Sequence, residues 1–295
     1  VSVAEGGELN ITNGGDIAIS SELAGNGLIT KNGTGKVTLS GHRNDEFSGN
    51  ININNGTVSF EKTNENLFID STAVVTSNGA NSKFEYTNST SDTFDGNFAK
   101  VVLDNGGTVS ISGGGSATTH NLSDGWLTSN GNSANNIIFN SANYILNTRY
   151  NRENINDNII FNSSNLTLGF NNTPDIDSNP SDYDLKGNNY TFNNSVLDLS
   201  NKIAGDNYNF DELDFTGSSG LALDINLYLE KNDDGSIKVA PYADTITANS
   251  GSGLVDITKL FITDDNGMFI DVSDEHGNHQ SKGIIQIFKG NNQLR

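Results

Sequence analysis

Asn136-Ile-Ile-Phe139-Asn140-Ser-Ala-Asn143-Tyr144-Ile-Leu146 returns as Asn158-Ile-Ile-Phe161-Asn162-Ser-Ser-Asn165-Leu166-Thr-Leu168. A third version, Tyr190-Thr-Phe192-Asn193-Asn-Ser-Val-Leu197-Asp-Leu199, follows after a longer gap. The shared frame is Phe-Asn, then an apolar residue five and seven positions after the Phe. Apolar and polar residues alternate within each version, the pattern of a half-buried strand, and recurrence at a fixed period marks a repeat architecture. One such unit cannot bury its own apolar face. Stacking on its neighbours at ~4.8 Å supplies the core and the backbone hydrogen-bond partners together. The period, roughly 22 positions, suits one rung of a parallel β-helix, with about three short strands and three corners. At that period 295 residues make on the order of 12 or 13 rungs, a rod about 60 Å long.

The rest of the chain fits an all-β reading. Alternating runs include Ile51–Ile53, Val101–Leu103, Val109–Ile111, Leu221–Leu227 and Ile284–Phe288. Between them fall Asn-Gly, Asp-Gly or Gly-Gly turns at residues 13–15, 32–33, 55–56, 78–79, 105–107 and 234–235. Asn and Gly tolerate positive φ, so these turns have a mechanism. No stretch carries capped i, i+3, i+4, i+7 apolar spacing, so no helix is expected. The chain holds 47 asparagines, a bias that serves turns or builds side-chain amide ladders from rung to rung. Disorder is the competing reading of so polar a sequence. The 34 % hydrophobic content, mostly Ile, Leu, Val and Phe in short alternating runs, argues against it.

Composition excludes several functions. Sixteen Lys+Arg against 36 Asp+Glu give a net charge of −20, which repels phosphate backbones, so nucleic acid is not an expected partner. With no Cys, disulfides, thiol nucleophiles and Cys-ligated metals are excluded. No run of about 18 apolar residues is present, the least a membrane-spanning helix needs. The chain begins at Val1 without a leader pattern and reads as mature, trimmed or a fragment.

A second motif lies near the start. Asn26-Gly-Leu28-Ile-Thr-Lys31-Asn-Gly33-Thr-Gly35-Lys-Val37-Thr-Leu39-Ser40-Gly41 leads into Phe47-Ser-Gly49, then Ile51-Asn-Ile53-Asn54-Asn-Gly56-Thr57-Val58. This resembles the autotransporter-associated β-strand repeat, through Lys31, Gly33, Gly35, Leu39, Ser40, Gly41, Gly49, Ile53, Asn54, Gly56 and Thr57. Val37 and Val58 stand where that repeat has Leu, and Phe47 where it has Tyr. Leu221–Ile225, Ala243–Ile246, Ser250–Gly253 and Val255–Ile257 resemble, more weakly, the C-terminal stretch of such passengers.

The resemblance implies a right-handed parallel β-helix, a β-solenoid secreted through a separate C-terminal barrel and displayed on a Gram-negative cell surface. It also implies a stalk over 1–216, followed by a β-rich folding nucleus or cap over 217–295. The barrel is absent from this chain, since 217–295 show no ladder of lipid-facing strands. The implied function is non-catalytic: adhesion, self-association or surface structure. The partners are host or neighbouring-cell surface components, or further copies as a homo-oligomer or fibre. Two alternatives stand beside it, a carbohydrate-active β-helix enzyme and a self-assembling fibre or sheath subunit.

Candidate sites are few. Residues 173–186, with two of the three prolines and no alternation, read as a loop leaving one corner of the coil. Within it Asp175, Asp177, Asn179, Asp182 and Asp184 offer oxygens at alternating positions, as a Ca²⁺ loop does. Pro180 and Lys186 stand where an EF-hand needs Gly and Glu, so that motif is rejected, and a solvated acidic loop is the plainer reading. Asn232–Gly235 and Asp264–Gly267 read as hairpin turns. His276 and His279 with Asp271, Asp274 and Glu275 have metal-binding chemistry on a Gly-Asn loop. Tyr144, Arg149, Tyr150 and Arg152 could line a sugar groove, or the arginines could pair with Glu153 or Asp157. Trp126, the lone Trp, reads as core filling or as an exposed anchor, with core the plainer reading. No nucleophile elbow, phosphate loop or cofactor motif is present.

Overall fold

The structure, a computed structural model, describes residues 1–41, 46–62, 72–88, 99–113, 119–122, 127–130, 133–146, 157–168, 182–185, 187–200, 205–226, 230–235, 237–239, 242–253, 256–263 and 269–270. They form a β-solenoid of parallel sheets with almost no helix. None of their helices is long and apolar enough to cross a membrane. The chain divides into two compact units, Val1–Thr148 with Asn154–Ser164, and Arg149–Glu153 with Asn165–Arg295.

In the first unit each turn of chain lays one strand on each of two long sheets. One sheet stacks Glu8–Ile11, Leu28–Lys31, Asn50–Ile53, Val74–Asn78, Lys100–Asp104 and Leu127–Ser129. The other stacks Ile17–Ile19, Lys36–Leu39, Gly56–Lys62, Ser82–Asn88, Thr108–Ser112, Asn136–Asn140 and Asp157–Asn162. A short third side begins with Ser2–Val3 on Ala24–Gly25, continued by a parallel bridge from Gly25 to Phe47. Later it carries Thr119–Leu122 paired with Asn143–Leu146. Every pairing named here is parallel, because each strand returns only after a full turn of chain.

In the first unit the seven described strands from Ile17–Ile19 to Asp157–Asn162 stack over about six turns of chain. The turns differ in length. The step between register partners is short at Ile17↔Val37, longer at Val58↔Phe84 and longer again at Val109↔Ile137. It contracts at Ile137↔Ile159 to the interval the repeat displays. In the second unit the step from Asn207 to Thr245 exceeds all of these. The strands that make these steps run from three to ten residues, and the long steps add residues mainly between strands, as expected where insertions collect on the surface.

Alternation decides which residues face inward. In Asn136–Asn140 and Asp157–Asn162 the buried residues are Ile137, Phe139, Ile159 and Phe161, with Asp157 at the strand's start. Phe139 and Phe161 are register partners, with rings stacked 4.9 Å apart at 16°. In the second unit Phe192 stacks on Phe215 at 5.3 Å and 21°. The repeated Phe is therefore a stacked spine within each unit.

The residues after the Phe build the corner. Ser141, Ser163 and Asn194, each two positions past the Phe, hold φ of 54°, 49° and 49°. Left-handed backbone turns the chain sharply there at a cost of roughly 1–2 kcal/mol, less for Asn. The following position is small and buried: Ala142, Ser164, Ser195. Ser164 donates to the carbonyls of Asn162 (2.8 Å) and Phe139 (3.3 Å), so the hydroxyl ties its own corner to the rung below. Phe215-Thr-Gly217-Ser-Ser219 is a fourth version, with Gly217 at φ 63° and Ser219 donating to Phe192 O at 2.8 Å. One extra residue, Ser218, puts it out of frame with the other three.

The second unit stacks Asn165–Leu168, Val196–Asp198, Gly220–Asn226 and Asp256–Thr263. On another side Asn207–Thr216 accepts both Asp182–Asp184 and Asn188–Asn193 along one edge, and Thr245–Ser252 along the other. The tail of the expected 173–186 loop is thus strand, with Asp182 and Asp184 opposite Asn207 and Asn209. Glu230–Lys231 and Ile237–Val239 pair antiparallel around Asn232–Gly235, where Gly235 N donates to Asn232 O at 2.9 Å. That is the expected hairpin.

Candidate functional site

The 26–58 motif can be read residue by residue. In Leu28–Lys31 the inward positions are Ile29 and Lys31, so a lysine enters the core in the place of an aliphatic residue. Its stem is buried and its ammonium donates to the carbonyls of Gly33 and, at 3.3 Å, Asn55. Burial pulls its pKa below the usual lysine value. The ammonium thus binds the Asn-Gly corners of two successive rungs.

The motif glycines sit where the rungs touch. A Cβ on Gly33 would lie 2.0 Å from Asn13 O, on Gly35 2.2 Å from Gly15 O, and on Gly49 2.0 Å from Gly27 O. Gly56 combines a close approach, 2.4 Å from Gly33 O, with φ +74°. These residues are spacing devices of the stack, and the atoms they meet are chiefly backbone of the adjacent rung.

The outward faces of the two long sheets are the candidate contact surface. Asn32 Nδ2 donates to Asn10 Oδ1 at 3.0 Å, and Asn54 Nδ2 to Asn32 Oδ1 at 2.9 Å, a ladder through three rungs. On the other face Asn158 donates to Asn136 and Asn162 to Asn140, both at 3.0 Å. Asn105 and Asn78 form a further step at 3.0 Å. An amide carries a donor and an acceptor, so it can pass one hydrogen bond along the stack and still present polar atoms to solvent.

Charge is unevenly placed on the second of these faces. Lys36 and Lys83 both reach Glu85, at 2.9 and 2.7 Å. Partial burial works against the charge of Glu85, but hydrogen bonds from Lys83 and Lys36 outweigh it and hold the carboxyl below its ordinary range. From Thr108 onward the outward positions are Thr108, Ser112, Asn136, Ile138, Asn140, Asn158, Ile160 and Asn162, with Ser110 on the same side but buried. None is charged, on a chain of net charge −20. This is a flat amide and hydroxyl surface with an isoleucine row between two asparagine ladders.

A buried polar column was not foreseen. Asn135 and Asp157, which precede Asn136 and Asn158, are both buried. Asn135 Oδ1 accepts Gly106 N at 2.9 Å, and Asp157 Oδ1 accepts Asn135 N at 3.0 Å. In the second unit buried Asp244 does the same, accepting Gly205 N and Asp206 N at 3.0 Å and Asp224 N at 2.8 Å. Burial above all, with the nearby charges of Asp224 and Asp206, pushes its carboxyl up to about 8, against the backbone hydrogen bonds. The signal was available in Asn135-Asn136-Ile, Asp157-Asn158-Ile and Asp244-Thr245-Ile, an Asx ahead of each alternating run.

Of the Ca²⁺ candidates, Asp182 and Asp184 lie on a strand, and Asp175, Asp177 and Asn179 lie outside the described residues. Asp264–Gly267, Asp271, Asp274, Glu275, His276 and His279 lie outside them too, as do Trp126, Arg149, Tyr150 and Arg152. Among the described residues no group of three or more His, Cys, Asp or Glu could hold a metal ion. Tyr144 does not line a groove. It is buried against Phe139 with its ring 4.7 Å away, and its hydroxyl donates to Asn140 O at 2.9 Å and Ile111 O at 3.2 Å. Its place in the repeat, five past the Phe, is an inward one, which is why an aromatic there fills the core. The chain matches no protein-family model, no curated protein and no solved structure.

Proposed function

We propose that this chain is a segment of an autotransporter passenger, displayed on a bacterial surface, which makes contacts through its sheet faces and catalyses no reaction. The observation that carries the proposal is the coincidence between motif and stack. Lys31, Gly33, Gly35, Gly49 and Gly56, the fixed residues of the resemblance, are the residues that let neighbouring rungs approach. A sequence signature that encodes rung contacts suits a display scaffold. The solenoid also suits threading through a pore, since each rung can dock on the one already folded. The uncharged amide and hydroxyl face supports contact with surface components or with further copies, where a −20 chain would otherwise repel an acidic partner.

The test places residues 1–295 ahead of a C-terminal outer-membrane barrel in a non-adherent Gram-negative host. The expected result is protease-accessible chain on intact cells, together with increased cell settling or attachment. Retention inside the cell, or display without any change in adhesion, would overturn the proposal. Turnover of an acidic polysaccharide by the purified chain would favour the carbohydrate-active alternative instead.

A further inference from the structure

The chain contains eight Asn-Gly pairs, and six lie wholly within the described residues: 13–14, 26–27, 32–33, 55–56, 78–79 and 105–106. An Asn-Gly pair is chemically labile, because the glycine nitrogen can attack the asparagine Cγ with no Cβ in its way. In five of the six the attacking N–H is committed to another rung. Gly27 N donates to Val3 O, Gly56 N to Asn81 O, Gly79 N to Asp104 O and Gly106 N to Asn135 Oδ1, each at 2.9 Å. Gly33 N donates to Ile11 O at 3.4 Å. Attack by any of these nitrogens first requires a rung contact to open.

Gly14 is different. Its N–H has no hydrogen-bond partner among the described residues, and a Cβ there would meet nothing within 4 Å, so there is room for a ring to close. The Asn13 amide is folded over it. Nδ2 donates to Gly15 O at 2.5 Å, a link from residue i to i+2 that spans Gly14, and to Lys36 O at 3.2 Å. Asn13 Oδ1 is buried with no hydrogen-bond partner. An electrophilic carbon therefore lies beside an uncommitted nucleophile.

We propose that Asn13 is a site of spontaneous modification, converting through a succinimide to aspartate and isoaspartate, while the stack protects the other five described pairs. The Gly14 N–Asn13 Cγ bond forms and the Cγ–Nδ2 bond breaks, with Nδ2 leaving as ammonia and taking up the Gly14 proton. Water then opens the ring at either carbonyl. The product carries a carboxylate where Nδ2 had donated to the carbonyls of Gly15 and Lys36. Asp16, which accepts Lys36 N at 2.8 Å, adds a second negative charge nearby. The modification thus replaces two attractive contacts with repulsion and loosens this corner from the next rung.

The test incubates the purified full chain at mildly alkaline pH, with a parallel sample in urea. Ammonia release is followed together with peptide mapping by mass spectrometry. In the native chain Asn13 is expected to convert at least about tenfold faster than the other five pairs, the factor set by a single hydrogen bond. In urea all six should convert at rates within a few-fold of one another. The N13Q variant should lose the fast native phase and keep the slow ones. Equal native rates at all six pairs would overturn the proposal. So would an Asn13 that stays intact in the native chain while reacting in urea.

Discussion

Gly35→Ala is the sharpest test of how the rungs touch. The added methyl would lie 2.2 Å from Gly15 O, whereas ordinary contact begins at 3.4 Å, so the corner must open by more than an ångström. That is a large part of a ~4.8 Å rung spacing. Gly35 is not in the left-handed region, so space is the problem rather than φ. Opening the corner stretches Gly35 N→Asn13 O (3.1 Å), Thr57 N→Gly35 O (3.4 Å) and Lys36 N→Asp16 Oδ1 (2.8 Å). At about 1 kcal/mol net per hydrogen bond, or about 1–3 kcal/mol as overpacking, the loss should be about 2–4 kcal/mol. Gly15→Ala is the matched control. Its methyl meets nothing within 4 Å and should change stability by less than about 0.5 kcal/mol. Urea unfolding followed by far-ultraviolet circular dichroism compares the two midpoints. Equal midpoints would refute the rung contact.

Phe161→Ala removes a ring that is 1 % exposed and stacked on Phe139, and should cost about 3–5 kcal/mol in the same assay. A loss below about 1 kcal/mol would place the ring outside a packed core. Asn158→Ala interrupts an outward ladder and should cost about 0.5–1.5 kcal/mol. Asn158→Asp should cost more, because an acceptor then faces Asn136 Oδ1, and the reverse order would argue against amide ladders. Asp244 keeps a proton in the folded chain up to about 8, one that the unfolded chain releases above 3.8. Stability should therefore fall as pH rises between those values, by up to ~1.4 kcal/mol per unit, and level off above them. Asp244→Asn should flatten that slope, and an unchanged slope would remove Asp244 as its cause.

The strand sides were legible in the sequence because burial alternates there, and Phe139 and Phe161 announce their register by recurring in frame. The length of each turn was not legible. Corner length obeys no period, and the long steps Val58↔Phe84, Val109↔Ile137 and Asn207↔Thr245 leave no trace unless the flanking strands also repeat. Gly217 hid the fourth corner by taking the place of Ser or Asn, and Ser218 shifted the apolar positions after it. Tyr144 looked like a groove residue beside two arginines, yet its place in the frame already assigned it to the core. The Asx column escaped notice because Asn135 and Asp157 resemble the asparagines of the turns. Only the coil brings their side chains onto the backbone N–H groups of the preceding rung.

The most direct measurement is a set of nuclear Overhauser contacts in the isotopically labelled chain, across Asn136–Asn140 and Asp157–Asn162. Stacked parallel rungs predict contacts between Ile137 and Ile159, between Phe139 and Phe161, and between Asn140 and Asn162. Contacts running the other way, Asn136 with Asn162 and Asn140 with Asn158, would make the pair a hairpin and contradict the solenoid.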